Sequence, residues 1–135
     1  MARILLIAIS VLCTLTGFYI FFAPHQFYDN TPGLRTMGPF SMHFIRDVAL
    51  VFFATGCTTM WGTMRRMRPV ALAGFLWPAL HAAFHVQLWA ARNFVLADVA
   101  KSDLVAVILP ATMAVIAAAR LSGASHSSAN SSESV

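Results

Sequence analysis

The chain falls into four long apolar stretches separated by short polar breaks. The first runs from about residue 4 to 22, the second from 41 to 61, the third from 70 to 91 and the fourth from 104 to 121. Each is close to the roughly 20 residues that a helix needs to cross the hydrocarbon core of a bilayer. The pattern predicts an all-α protein, an integral membrane four-helix bundle filling residues 1–121. The first stretch follows Arg3 and so has the positive start of a signal peptide. Its apolar core is too long for one and no A-x-A-like site follows, so it predicts a retained helix, ended by Pro24. Pro69 suits the start of the third helix. Ser102 is placed to cap the fourth, with Asp103 in its first turn. Pro110 should kink that helix rather than end it, because neighbouring helices can re-satisfy the freed carbonyl.

Between the first two helices lies the longest connection, residues 25–39, with turn signals at Pro32-Gly33 and Gly38-Pro39. Residues 122–135 are rich in Ser, Ala and Asn, and predict a disordered cytoplasmic tail.

Composition agrees with a lipid solvent. Hydrophobic residues make up 59% of the 135 positions and charged residues only 10%, against about 25% charged in soluble domains. The net charge of +4 is not a nucleic-acid signal. No basic stripe interleaved with aromatics and no Gly-rich phosphate loop occurs, so the bilayer is the expected partner and nucleic acid is not. Arg3, Arg65, Arg66, Arg68 and Arg120 fall on one side of the predicted bundle. Arg35, Arg92 and Lys101 fall on the other, with Arg46 just inside the second helix. The positive-inside rule then predicts a multi-pass inner-membrane protein with both termini cytoplasmic, and Asp29, Asp98 and Asp103 outside. Cys13 and Cys57 lie inside apolar stretches and form no CxxC pair, so they read as small buried hydrophobes.

Candidate chemistry is concentrated in the second and third helices. His43, Arg46 and Asp47 enter the second within two turns; the third carries His81 and His85, followed by Gln87. Ionisable groups inside a membrane segment are costly and are functional candidates by default. His43 and Asp47 are i and i+4, as are His81 and His85, so each pair shares a helix face. At about 1.5 Å per residue, Asp47 and His85 each lie roughly 9 Å from the outer end of their helix. The two pairs are therefore expected to meet in the outer half of the bundle, as one site of His43, Arg46, Asp47, His81 and His85.

Two chemistries compete for such a site. One is a paired network that holds helices together or handles protons. The other is a transition metal held by His43, Asp47, His81 and His85, with haem ranked lower because four short helices must leave room for the ring. Arg46 beside a bound cation favours the network. His25 and Tyr28, in the 25–39 connection, are candidates for a lid or extra ligand, although a solvated loop histidine is the plainer account of His25. Trp61 and Trp89 suit interface anchors, Trp77 suits packing, and Pro78 is placed to kink the third helix.

The run Gly38-Pro39-Phe40-Ser41-Met42-His43-Phe44-Ile45-Arg46-Asp47-Val48, followed by Trp77-Pro78-Ala79-Leu80-His81-Ala82-Ala83-Phe84-His85, is similar to a group of small uncharacterised bacterial four-helix membrane proteins. Their pattern is GP[FY]xxH[FL][IV]RDV. The resemblance implies the architecture and a grouping of His43, Arg46 and Asp47; it implies no activity.

The sequence therefore reads first as an integral membrane protein of unknown function with a buried polar His/Arg/Asp site. One alternative is a metal- or haem-binding, redox-active protein. Another is an accessory subunit of a larger membrane complex, or a homo-oligomer. For the latter, Ala71, Ala73, Gly74, Ala111, Ala114, Ala117 and Ala118 would allow close helix approach, although packing within the bundle explains them too. No Ser/His/Asp triad, dinucleotide fingerprint or hydrolytic acid pair supports an enzyme.

Overall fold

The computed structural model describes residues 1–121, so the predicted tail and His126 lie outside the described residues. The described chain is all-helical, without a strand. The elements are α1 (Ala2–Phe22), α2 (Pro24–Asn30), α3 (Leu34–Met37), α4 (Met42–Met64), α5 (Arg68–Gly74), α6 (Leu76–Ala91) and α7 (Asp98–Ala119). Helices α1, α4 and α7 are each long and apolar enough to cross a membrane. The pair α5 and α6 together would make a fourth crossing, bent by 47°.

Proline and capping chemistry explain where these elements start and break. Pro24 opens α2 after the break at Ala23, and α2 and α3 occupy what reads as a loop in sequence. The Ser41 hydroxyl caps α4 by accepting from the Phe44 amide at 3.4 Å. At the other end of α4, the Met67 amide donates to the Gly62 carbonyl at 2.8 Å and the Arg66 amide to Thr63 at 3.3 Å. That is a Schellman turn, with Arg66 (φ 55°) where glycine is usual. Pro78 cannot donate to the Gly74 carbonyl, and the third predicted helix breaks there, between Gly74 and Leu76, instead of running unbroken from 70 to 91. Helix α7 starts at Asp98, five residues before the predicted first turn, so Ser102 is internal and caps nothing. Just before Pro110 the helix widens to π-type geometry over Leu104–Ile108, which absorbs the missing donor without ending it.

Packing is closest where side chains are smallest. A Cβ on Gly17 would lie 2.8 Å from the Ala49 carbonyl and the Phe53 amide, and one on Gly56 would lie 2.7 Å from the Ser10 carbonyl. These contacts join α1 to α4. A Cβ on Gly62 would collide with the Ala71 amide, which locks α4 to α5. Ala71, Ala111, Ala114, Ala117 and Ala118 are buried in the main core with Leu6, Ile9, Cys13 and Phe75. Those alanines are therefore used inside the bundle. A second, smaller core of Ile20, Ile45 and Ala49 sits toward the α2–α3 end.

Large apolar residues also cover the outside of the bundle. Thr55, Thr59, Thr63 and Ser10 are buried, whereas Ile4, Leu15, Phe22, Leu80, Phe84 and Val105 are each more than half exposed. A water-soluble domain of this size does not expose large apolar groups on every long helix.

Candidate functional site

The expected meeting of the two polar pairs does not occur. α4 packs mainly on α1 and α5, while α6 packs on the widened part of α7. The reason is the break before α6: α5 stays docked on α4 through Gly62 and Ala71, and the 47° bend turns α6 toward α7. The predicted five-residue site thus separates into two.

The α4 half is a surface feature. His43 Nδ1 lies 2.7 Å from Asp47 Oδ2, but the side chains are 87% and 57% exposed. Arg46 turns toward α1 and lies over the Phe21 ring, 5.2 Å from its centre. The two candidate lid residues do not cover this group. His25 stacks on Phe40 with centres 4.0 Å apart, and the Tyr28 hydroxyl donates to the Gly38 carbonyl at 2.6 Å. Both contacts fold the 24–40 segment on itself. Asp29 in the same segment accepts from Arg35 Nε and Nη2 at 3.0 and 2.6 Å. The bonded carboxylate raises the guanidinium pKa above its ordinary value.

The α6 half is more enclosed, with His85 buried and His81 half-buried. His81 Nε2 and His85 Nε2 face each other at 3.2 Å, one turn apart on the helix. His81 stacks on Trp77 with centres 4.7 Å apart, and Trp77 packs edge-on against Phe52 of α4. His85 is only 8% exposed. Its Nδ1 lies 2.9 Å from Asp103 Oδ2 on α7, and these side chains are 10% and 21% exposed. The contact has ion-pair distance without good hydrogen-bond alignment, which leaves Nδ1 a buried polar atom served by one off-axis carboxylate. Gln87 is exposed and takes no part.

Asp103, His85 and His81 thus lie in sequence, with 2.9 Å from Asp103 Oδ2 to His85 Nδ1 and 3.2 Å from His85 Nε2 to His81 Nε2, and which imidazole donates in the second contact depends on the tautomers.

Asp103 is the residue that sequence reasoning assigned to a helix start. A usable signal existed in the helix lengths. His85 is six residues from the end of α6 and Asp103 five from the start of α7, depths of roughly 9 and 7.5 Å at the ordinary rise. Starting the last helix at 104 hid that match.

The metal reading is corrected by the same geometry. Among the described residues, no group of three or more His, Cys, Asp and Glu side chains is arranged to hold a metal ion. His43 and Asp47 stand apart from His81 and His85, so the four-ligand set is not assembled. Two imidazoles in contact on one helix also cannot flank a haem ring from opposite faces.

Comparison with known proteins places the chain in a family. Residues 1–83 match the family described as "Domain of unknown function (DUF4345)", which covers more than half of the sequence, and the chain belongs to it. No curated protein and no solved structure matches. The match contains His25, His43, Arg46, Asp47 and His81, and stops two residues short of His85.

Proposed function

We propose that this DUF4345 chain is an integral membrane protein that binds and relays a proton through His81, His85 and Asp103. In this reading α1, α4, the bent α5–α6 pair and α7 are its four crossings. The large apolar side chains exposed on every long helix support insertion. The turn with Arg65, Arg66 and Arg68 and the two chain ends then share the cytoplasmic side, and the α6–α7 connection faces outward.

The observation that carries the proton reading is the partly buried run of contacts from Asp103 through both nitrogens of His85 to His81. Neutral alternatives would hold two helices together at less risk, since a half-satisfied ionisable group in a low-dielectric interior is costly. The titratable or charged groups around His85 are His81 on its own helix and Asp103 on α7, with Arg92 lining the cavity beside Asp103.

Nitrogen-15 NMR of histidine-labelled protein in lipid nanodiscs tests this reading. His81 and His85 should titrate as a coupled pair, with a tautomer change at His81, and Asp103→Asn should uncouple them. One unchanging tautomer at both rings across the acid to mildly alkaline range would sink the relay and leave a purely structural strut.

A further inference from the structure

A cavity of about 270 Å3 opens beside the proton chain, at the end where α6 gives way to α7. Leu88, Trp89, Val95 and Ala100 form apolar walls, and Arg92 and Asp103 are its charged lining groups. The wall between the helices is tied in place. The Trp89 indole N–H donates to the Val95 carbonyl at 3.1 Å, and Phe94 packs edge-on against the Trp89 ring with centres 5.4 Å apart. Asn93 and Phe94 both have left-handed backbone (φ 54° and 56°), unusual for a residue as bulky as Phe94.

We propose that this cavity is a binding site for a neutral hydroxyarene, a single aromatic ring bearing a hydroxyl group. Four features select that class. The volume lies at the lower edge of small-molecule pockets, which suits one substituted ring. The walls are apolar and include an indole, against which a ring packs favourably. The two charged lining groups are of opposite sign, so the lining carries no net charge to offset that of an ionic guest. Asp103 directs Oδ2 at His85 Nδ1, 2.9 Å away, and among the described residues no hydrogen bond reaches Oδ1, so that second oxygen can accept from a hydroxyl. The Arg92 guanidinium can donate to the same oxygen or to a ring substituent. A carboxylate guest would face Asp103, and an ammonium guest would face Arg92.

The site rests on the same Asp103 as the proton relay, but it is read separately, because occupancy is measured at fixed pH with no proton movement. The experiment is fluorine NMR of para-fluorophenol added to the full chain in nanodiscs, with para-fluoroanisole as the matched compound that lacks a hydroxyl donor. Saturable broadening by the phenol and only lipid partitioning by the anisole is the expected result. Asp103→Asn should weaken the phenol by roughly ten- to a hundredfold, the usual weight of a hydrogen bond to a charged acceptor. Trp89→Leu should weaken it without restoring the anisole. Displacement by a long-chain alkylphenol already in the bilayer marks a guest arriving from lipid; displacement by phenol alone marks one arriving from water. Either supports the site. Equal binding of phenol and anisole would overturn it, as would saturable binding of zwitterionic phenylalanine in preference to phenol.

Discussion

Replacing His85 and Asp103 by alanine, singly and together, measures whether α6 and α7 are held by the contact between them. The two side chains are 10% and 21% exposed and sit 2.9 Å apart. Breaking a fully buried charged pair costs about 3–5 kcal/mol, because the survivor is stranded. Partial exposure and imperfect alignment reduce that here. Interhelical polar contacts in membranes run from about 0.6 to 1.7 kcal/mol. Each single substitution is therefore expected to destabilise by about 1–3 kcal/mol, with a coupling of about 1–2 kcal/mol between them. Unfolding in mixed detergent micelles, followed by tryptophan fluorescence, gives the four free energies. The same cycle on His43 and Asp47 is the internal control, since exposure of 87% and 57% limits that pair to under about 0.5 kcal/mol. Additivity at His85 and Asp103 within about 0.3 kcal/mol would show that their proximity carries no energy, and both readings of the site would lose their basis.

Three other outcomes bear on the frame that holds the site. Gly62→Ala forces a Cβ into the Ala71 amide, a backbone atom that cannot step aside, so α4 and α5 must separate at a cost of about 1–3 kcal/mol in the same unfolding assay. Arg66→Gly relieves a left-handed φ of 55° in the α4–α5 turn and should stabilise by up to about 1 kcal/mol; a loss would mean that the Arg66 side chain makes a compensating contact. Cys57 is exposed on α4, about 10 Å from its Met64 end, so in proteoliposomes it should react with a lipid-soluble maleimide and resist a charged one. Equal reaction with both reagents would refute membrane insertion.

Helix positions were legible because apolar runs of membrane length leave little choice of element. Ala2–Phe22 and Met42–Met64 lie within three residues of the stretches read from hydropathy. The site was half legible. His81 and His85 fall together because i, i+4 spacing is a property of one helix and needs no tertiary information. Partners on other helices depend on helix rotation and bend, which hydropathy does not encode. His43 and Asp47 accordingly find each other within α4 and no one else. The carboxylate that does reach His85 belongs to a helix whose start was placed about six residues late, because Ser102 before an apolar run resembles a cap.

Pro78 decides which helix supplies that carboxylate. It removes the donor for the Gly74 carbonyl, and α5 and α6 meet there at 47°. His85 lies ten residues beyond Phe75, an arm of about 15 Å, so straightening the bend would swing it by roughly 10 Å. Pro78→Ala restores the donor and lets the helix recover part of that angle, while Gly74 stays pinned by its approach to Thr59, where a Cβ would lie 2.8 Å from the amide. Nitroxide labels at positions 88 and 100 should then read a longer separation in Pro78→Ala than in the parent. The coupling between His85 and Asp103 should fall below about 0.5 kcal/mol if the contact opens to water. An unchanged distance with unchanged coupling would show that α6 and α7 hold the bend through their own packing, with Pro78 merely accommodated by it.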